Sequence, residues 1–177
     1  MANVRIPERR GVITFKGAPL TLCGPEIVIG AEAPDFRLLA QDLSQVTLAS
    51  SAGKTRLLSV VPSLDTPVCD LQTKRFNEAA AALPPSVVVL TVSMDLPFAQ
   101  ARWCGAAGVD KVQVLSDHRD ASFGLAYGVL IKELRLLSRA IFVIDAKNVV
   151  RHVEYVGEIT DHPAYDAALE VVRAVAG

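Results

Sequence analysis

The chain has 177 residues, of which 51% are hydrophobic and 21% charged, enough for one domain with a sizeable core. Its formal net charge of -1, with acidic and basic residues interspersed, favours neither a nucleic-acid-binding surface nor an acidic tail. No apolar run reaches membrane-spanning length, and the first ten residues lack the apolar centre of a secretory signal. We therefore expect one cytoplasmic domain over residues 1–177 that binds neither nucleic acid nor membrane.

The first third of the chain predicts two β-hairpins. Between the first two β-prone runs, Gly17 and Pro19 suit a turn. The second two runs are separated by polar residues. We treat residues 1–30 as an N-terminal hairpin extension of the main domain. The four runs are, in chain order, 12–15, 20–22, 36–39 and 46–48.

From residue 56 onward, predicted strands alternate with predicted helices. Pro62 ends the first of these strands, and Gly105 is expected to end the second helix, because glycine is common just past a helix C-terminus. The predicted strands are 57–61, 87–92, 112–115, 140–144 and 149–156, and the predicted helices are 67–83, 97–104, 121–127 and 163–175.

This order of elements predicts the fold class. Strands linked through helices run parallel, whereas the short link 145–148 predicts an antiparallel hairpin near the C-terminus. The sequence therefore predicts an α/β protein with a thioredoxin-like fold. Its central mixed β-sheet is flanked by helices and preceded by the N-terminal hairpin.

Cys69 lies where a buried strand passes into a helix, the edge at which open α/β sheets place their binding sites. Thr66 suits the N-cap and Pro67 the first helical position, so Cys69 falls in the first turn. Unpaired backbone N–H groups and the positive end of the helix dipole favour a thiolate there. Cys69 is therefore a candidate nucleophile.

The residues around Cys69 carry a resemblance to a known family. Pro62, Thr66 and Cys69 fit the spacing of proline, three residues, threonine, two residues and cysteine that surrounds the reactive cysteine of peroxiredoxins. The chain most closely resembles the thiol peroxidase branch of that family, of the atypical two-cysteine type. Four further stretches resemble the same branch in the same order: Ala33–Phe36, Asp95–Gln100, Leu115–Asp117 and Arg139–Asp145.

The resemblance implies an activity and a role for each site residue. Such enzymes reduce hydrogen peroxide and organic hydroperoxides without metal or organic cofactor. Cys69 would be the peroxidatic cysteine and become a sulfenic acid, Thr66 its hydrogen-bond partner and Arg139 the cation beside the thiolate. Pro62 would shield the pocket from water. Cys104 would be the resolving cysteine that forms a disulfide with Cys69, and thioredoxin would recycle a homodimer.

Disulfide formation is expected to require movement. Cys69 and Cys104 fall on two different predicted helices, whereas a disulfide needs Cα atoms within about 7 Å of each other. We therefore expect one or both helical regions to unwind after the sulfenic acid forms.

Several residues also have simpler interpretations. Thr66 can be only a helix cap, Arg139 a solvated strand end, and Cys104 a small apolar residue packed under Trp103. Cys23 has no counterpart in the family pattern. We interpret it as a spectator thiol, with a crosslink between chains under oxidation as the alternative.

Two other functions stay open at this point. A cysteine hydrolase would need a histidine near Cys69, but no histidine has a position that the sequence places there. The three histidines also show no metal-binding spacing. A non-enzymatic redox sensor would use the same oxidation of Cys69 and stop after one equivalent of peroxide.

Overall fold

The computed structural model describes residues 5–176, so the first four residues of the predicted extension, together with Gly177, lie outside the described range. The strands are β1 (Glu8–Phe15), β2 (Ala18–Cys23), β3 (Leu38–Leu39), β4 (Gln45–Val46), β5 (Thr55–Val60), β6 (Val87–Ser93), β7 (Gln113–Ser116), β8 (Leu130–Ile131), β9 (Ala140–Ile144) and β10 (Val150–Tyr155). The helices are α1 (Pro67–Ala80), α2 (Pro97–Ala107), α3 (Ser122–Ala126) and α4 (Tyr165–Val175), with a 3-10 turn at Leu48–Ser51.

A seven-stranded sheet forms the centre of the molecule, in the order β10-β9-β5-β6-β7-β3-β4. The β5–β6 and β6–β7 pairs are parallel, and α1 and α2 are the crossovers between them. The remaining pairs of this sheet are antiparallel. The predicted α/β class, with a mixed sheet and an N-terminal hairpin, is confirmed.

The sheet separates two apolar cores. Every residue of β5 and of β9 is buried, which explains why β9 is a continuous apolar run in the sequence, whereas β5 also buries the polar side chains of Arg56 and Ser59. Neighbouring residues point to opposite faces, so Leu57 joins one core and Leu58 the other. Helices α1, α2 and α4 cover the first face, whose core contains both Cys69 and Cys104. Cys23 belongs to the core on the second face, beneath α3.

The N-terminal hairpin forms a second sheet, in the order β1-β2-β8. The sequence analysis missed β8 because it has two residues and is defined only by pairing with β2, where Leu22 lies opposite Ile131. Backbone packs closely on backbone where the hairpin leaves this sheet. Gly24 has a φ of 106°, and a Cβ there would lie 2.1 Å from the carbonyl oxygen of Leu125.

The end of α2 corrects one prediction. Gly105 lies inside the helix, which continues to Ala107. Gly108 ends it instead, because its φ of 66° gives the left-handed cap, with the Gly108 N–H donating to the carbonyl of Cys104. Cys104 therefore lies within an ordered turn rather than at its margin.

Other boundaries also differ from the predictions by a few residues. Helix α1 ends at Ala80, short of the predicted residue 83, and Leu48 begins the 3-10 turn rather than ending a strand. In the part of the chain that the structure covers, no helix has the length and hydrophobicity needed to cross a bilayer.

Candidate active site

Thr66 and Cys69 lie together at the start of α1. Thr66 has the extended backbone of an N-cap, with φ of -98° and ψ of 146°, and Pro67 is the first helical residue, as predicted. However, the Thr66 side chain makes no capping bond to the helix. Its Oγ1 lies 2.7 Å from the Sγ of Cys69 and 3.0 Å from the carbonyl oxygen of Ser63. The interpretation of Thr66 as only a helix cap is therefore wrong.

The Thr66 hydroxyl has one hydrogen for these two neighbours. When Cys69 is a thiol, its S–H can donate to Oγ1 while the hydroxyl donates to Ser63. When Cys69 is a thiolate, the hydroxyl can turn and donate to the sulfur. Thr66 can thus satisfy either charge state without moving its backbone.

Arg139 supplies a buried positive charge next to the same sulfur. It is only 2% exposed, and its Nη2 lies 3.4 Å from the Sγ of Cys69. Nε and Nη2 donate to the carbonyl of Ile159, at 3.0 and 2.8 Å. No carboxylate of residues 5–176 pairs with this guanidinium. Arg139 is therefore not a solvated strand end, and among its described hydrogen-bond partners the sulfur is the one able to carry a full negative charge.

Gln72 holds the guanidinium in place, and the sequence analysis did not identify it. Its Oε1 accepts from Nη1 of Arg139 at 2.7 Å, and its Nε2 donates to Oγ of Ser59 at 2.8 Å. The side chain is fully buried. Its spacing of three residues from Cys69, which puts both on one face of α1, is the signal that could have found it.

A cavity of about 320 Å³ opens beside this group. Its walls are apolar apart from the side chains of Thr66, Thr160 and Arg139, and they come from the hairpin, the Cys69 loop, the segment after β8 and the segment after β10. Cys69 itself is fully buried behind this lining. The lining residues are Phe15, Pro62, Thr66, Pro67, Val68, Leu134, Leu136, Arg139, Ile159 and Thr160.

Glu158 attaches the hairpin tip to the cavity. Its carboxylate accepts from the backbone N–H of Gly17 at 3.0 Å, from the hydroxyl of Thr14 at 2.8 Å and from the hydroxyl of Thr160 at 2.8 Å. The Gly17 N–H, aided by both hydroxyls, lowers the pKa of Glu158 to about 2. This attachment keeps Phe15 in the cavity wall.

The attachment by Glu158 predicts a pH dependence. Because folding lowers the pKa from 4.5 to about 2, its stabilisation is complete above about pH 4.5 and is lost as the pH falls towards 2. We expect wild type to exceed Glu158→Gln in free energy of unfolding at pH 6, with the difference shrinking towards pH 2. Urea titrations at several pH values measure it. Glu170→Gln, at an exposed position on α4, is the control, and a pH-independent difference for Glu158→Gln would contradict the prediction.

Cys104 lies away from this cavity. It is 8% exposed, burial raises the pKa of its thiol, and Nε2 of Gln41 donates to its Sγ at 3.2 Å. It lines a separate, more open pocket of about 610 Å³. Cys69 and Cys104 are free thiols. Cys69 is the third residue of α1 and Cys104 the eighth of α2, so each sulfur is buried within a separate ordered helix.

The remaining candidates form no described hydrogen bond with Cys69. Cys23 lies in the core on the other side of the sheet, opposite Leu130 of β8. Among the described hydrogen bonds, none joins a histidine to Cys69, so a cysteine hydrolase would lack its base there. No group of three metal-ligating side chains occurs within residues 5–176.

Comparison with known proteins adds an independent finding. The Redoxin family model matches residues 29–169. The chain is 62% identical over 162 residues to a thiol peroxidase of Halalkalibacterium halodurans, covering 92% of this chain and 97% of that one. A thiol peroxidase of Bacillus subtilis is 57% identical over 163 residues, with coverage of 92% and 97%. A peroxiredoxin-like protein of Aquifex aeolicus has a similar solved structure, with a TM-score of 0.87, 40% identity and coverage of 92% and 96%.

Proposed function

The chain belongs to the Redoxin family and is a thiol-dependent peroxidase of the peroxiredoxin type, and from this premise we propose that it reduces hydroperoxides at Cys69. The family, the enzyme class and the fold agree with the predictions from sequence. One observation carries the assignment of the site: the buried sulfur of Cys69 lies between the Thr66 hydroxyl and the Arg139 guanidinium, which pairs with no carboxylate among the residues that the structure describes.

The first chemical step uses this arrangement. The Cys69 thiolate attacks the terminal oxygen of the hydroperoxide, an S–O bond forms, and the O–O bond breaks. Sulfur is oxidised by two electrons to the sulfenic acid, and the departing oxygen takes up a proton as water or alcohol. The hydroxyl of Thr66 and Nη2 of Arg139 are the donors that stabilise charge on the two oxygens as the bond lengthens. Pro62, buried in the cavity wall, excludes water from the thiolate.

The second step would join Cys69 to Cys104. The Cys104 thiol attacks the sulfenic sulfur, water leaves, and a disulfide forms. Because both cysteines lie in ordered, buried helical turns, local unwinding must precede this bond. A thioredoxin-type dithiol then reduces the disulfide and becomes oxidised itself.

The apolar cavity favours organic hydroperoxides as substrates in addition to hydrogen peroxide. An alkyl or aryl group can bury against Phe15, Leu134 and Leu136, whereas hydrogen peroxide has no apolar group that could pack against these residues. The N-terminal hairpin therefore contributes to substrate choice through Phe15.

Replacing Phe15 with alanine tests this role. We expect a loss of kcat/KM for cumene hydroperoxide of about tenfold or more, because burying an apolar group against an aromatic side chain is worth about 1.5–3 kcal/mol, and a change below about twofold for hydrogen peroxide. Val12→Ala is the matched control, since Val12 is an exposed residue of the same strand and does not line the cavity. An equal loss for both substrates would contradict a role in specificity.

We propose a homodimer in the cytoplasm as the working form, as the family resemblance implies. Two exposed apolar side chains at the start of α2 support such a contact: Leu96 is 55% exposed and Phe98 68% exposed.

The assay that tests the function couples peroxide reduction to thioredoxin, thioredoxin reductase and NADPH. An enzyme consumes many equivalents of peroxide per chain, whereas a redox sensor would stop after one.

A further inference from the structure

Asp95 connects the loop before Cys69 to the segment that begins α2. It follows β6, and its carboxylate reaches across to the Cys69 loop. Oδ1 accepts from Oγ of Ser63 at 2.7 Å, and Oδ2 accepts from the backbone N–H of Leu64 at 2.8 Å. Oδ2 also accepts from Oγ of Ser93 at 2.7 Å. Three donors thus converge on one carboxylate, and two of them come from the Cys69 loop.

The connection continues into α2 through a buried glutamine. Nε2 of Gln100 donates to Oγ of Ser93 at 3.0 Å, and Ser93 in turn donates to Asp95. Gln100 is fully buried and lies one helical turn before Cys104. A continuous set of hydrogen bonds therefore runs from the helix that carries Cys104 to the loop that leads to Cys69.

Helix capping does not account for Asp95. The N-cap of α2 is Leu96, and no side chain caps that helix. Within residues 5–176, no lysine or arginine forms an ion pair with Asp95. Its charge is stabilised by the three neutral donors alone, and hydrogen bonds to an ionised acceptor are about twice as strong as neutral ones. The carboxylate therefore acts mainly between the two redox segments.

Resting on the proposed roles of Cys69 and Cys104, we propose that Asp95 is a positioning residue that restrains the two segments in the peroxide-reactive arrangement and slows closure of the disulfide. The first step needs Cys69 fixed beside Thr66 and Arg139, which a held loop provides. Closure of the disulfide needs a released loop, because the two cysteines must leave their separate helical turns. The Asp95 bonds stabilise the form before closure and oppose the movement.

This restraint also sets how long the sulfenic acid is exposed to a second peroxide. While Cys104 is held away, a further peroxide molecule can oxidise the Cys69 sulfenic acid to the sulfinic acid and release water or alcohol. Weakening the restraint therefore favours the disulfide over the sulfinic acid. A merely structural role for Asp95 would lower both rates without shifting this balance.

The test compares Asp95→Ala with Asp95→Asn. Asparagine can keep neutral hydrogen bonds to the same donors, so it separates the charge from the connection itself and guards against misfolding of the alanine variant. Trp103 is the single tryptophan and adjoins Cys104, so stopped-flow fluorescence follows rearrangement of α2 after a peroxide pulse. Asp65→Ala is the matched control, because Asp65 is exposed in the same loop and its carboxylate forms no described hydrogen bond.

We expect closure about tenfold faster in Asp95→Ala and about threefold faster in Asp95→Asn. The peroxide concentration that converts half of Cys69 to sulfinic acid during turnover should rise by the same factors. Asp65→Ala should match wild type. Unchanged or slower closure in both Asp95 variants, with normal turnover by wild type, would overturn the role of Asp95. A wild type without sustained peroxide consumption would instead overturn the proposed function.

Discussion

Arg139→Met is expected to lower the rate constant of the first peroxide step by about 100-fold or more, the size typical of losing an oxyanion donor. The guanidinium is buried, forms no ion pair with a carboxylate in the described part of the chain and lies 3.4 Å from the sulfur, so its charge is placed to act on the reacting atoms. Loss of ionisation alone explains less, because an ordinary thiol of pKa about 8.5 is roughly 3% ionised at neutral pH, which limits that effect to about thirtyfold. Stopped-flow kinetics at pH 7 measure the total effect.

Measuring Arg139→Met at high pH separates the contribution of Arg139 to thiol ionisation from its contribution to stabilising the departing oxygen. Near pH 9.5 most unassisted thiol is ionised, so the deficit that remains reports charge on the departing oxygen. Arg56→Met is the matched control, because Arg56 is the other fully buried arginine and bonds to residues remote from Cys69, including Asn148 and Leu48. Wild-type kinetics in a folded Arg139→Met protein, or an equal loss in Arg56→Met, would remove Arg139 from the mechanism.

Cys104→Ser is expected to keep the first peroxide step within about twofold of wild type and to abolish thioredoxin-supported turnover. The first step needs only Cys69 and its donors, and Cys104 lies outside the Cys69 cavity. Without a resolving thiol, Cys69 accumulates as sulfenic acid and then as sulfinic acid while peroxide rises. Stopped-flow kinetics followed by mass measurement of the Cys69 peptide check both parts.

Cys23→Ser is the control for the Cys104 variant. Cys23 lies in the core on the opposite side of the sheet, so its removal should leave turnover at the wild-type rate. Full thioredoxin-supported turnover in Cys104→Ser would contradict the resolving role. A disulfide between Cys69 and Cys23 in oxidised wild type would do the same.

Most of the fold follows from local sequence patterns. Strand β9 is continuously apolar because both its faces are buried, and α1 starts where Thr66 and Pro67 predict it. The errors in the predicted elements arose where tertiary contacts, rather than the local sequence, determine whether an element forms and where it ends. Strand β8 exists through its pairing with β2, and the choice between Gly105 and Gly108 as the end of α2 depends on which glycine adopts the left-handed conformation.

The contacts of the candidate site also fall into those that local sequence predicts and those that depend on the whole fold. Thr66 and Cys69 are three residues apart, so one turn of chain brings them together and sequence alone could predict their contact. The prediction that Arg139 lies beside Cys69 rested only on the family resemblance, because the two residues come together only when the whole sheet folds. The spacing of Gln72 from Cys69 places both on one face of α1, but the bond from Arg139 to Gln72 joins segments distant along the chain, as do the bonds from Ser63 to Asp95 and from Gly17 to Glu158. No local pattern predicts these three bonds.

The central sheet separates the apolar cores on its two faces, and this separation has a consequence for the endurance of the enzyme over many catalytic cycles. The reacting cysteines lie on the helix side, whereas the other side holds an aromatic cluster in which Phe123 stacks on Tyr127 at 4.3 Å and Tyr127 meets Phe142 edge-on at 5.2 Å. Proteins open in separate cooperative units, each with its own free energy. In the proposed mechanism, each oxidation would unwind a few turns on one side while the aromatic side keeps the chain folded, so every cycle would include a small reversible unfolding without denaturation.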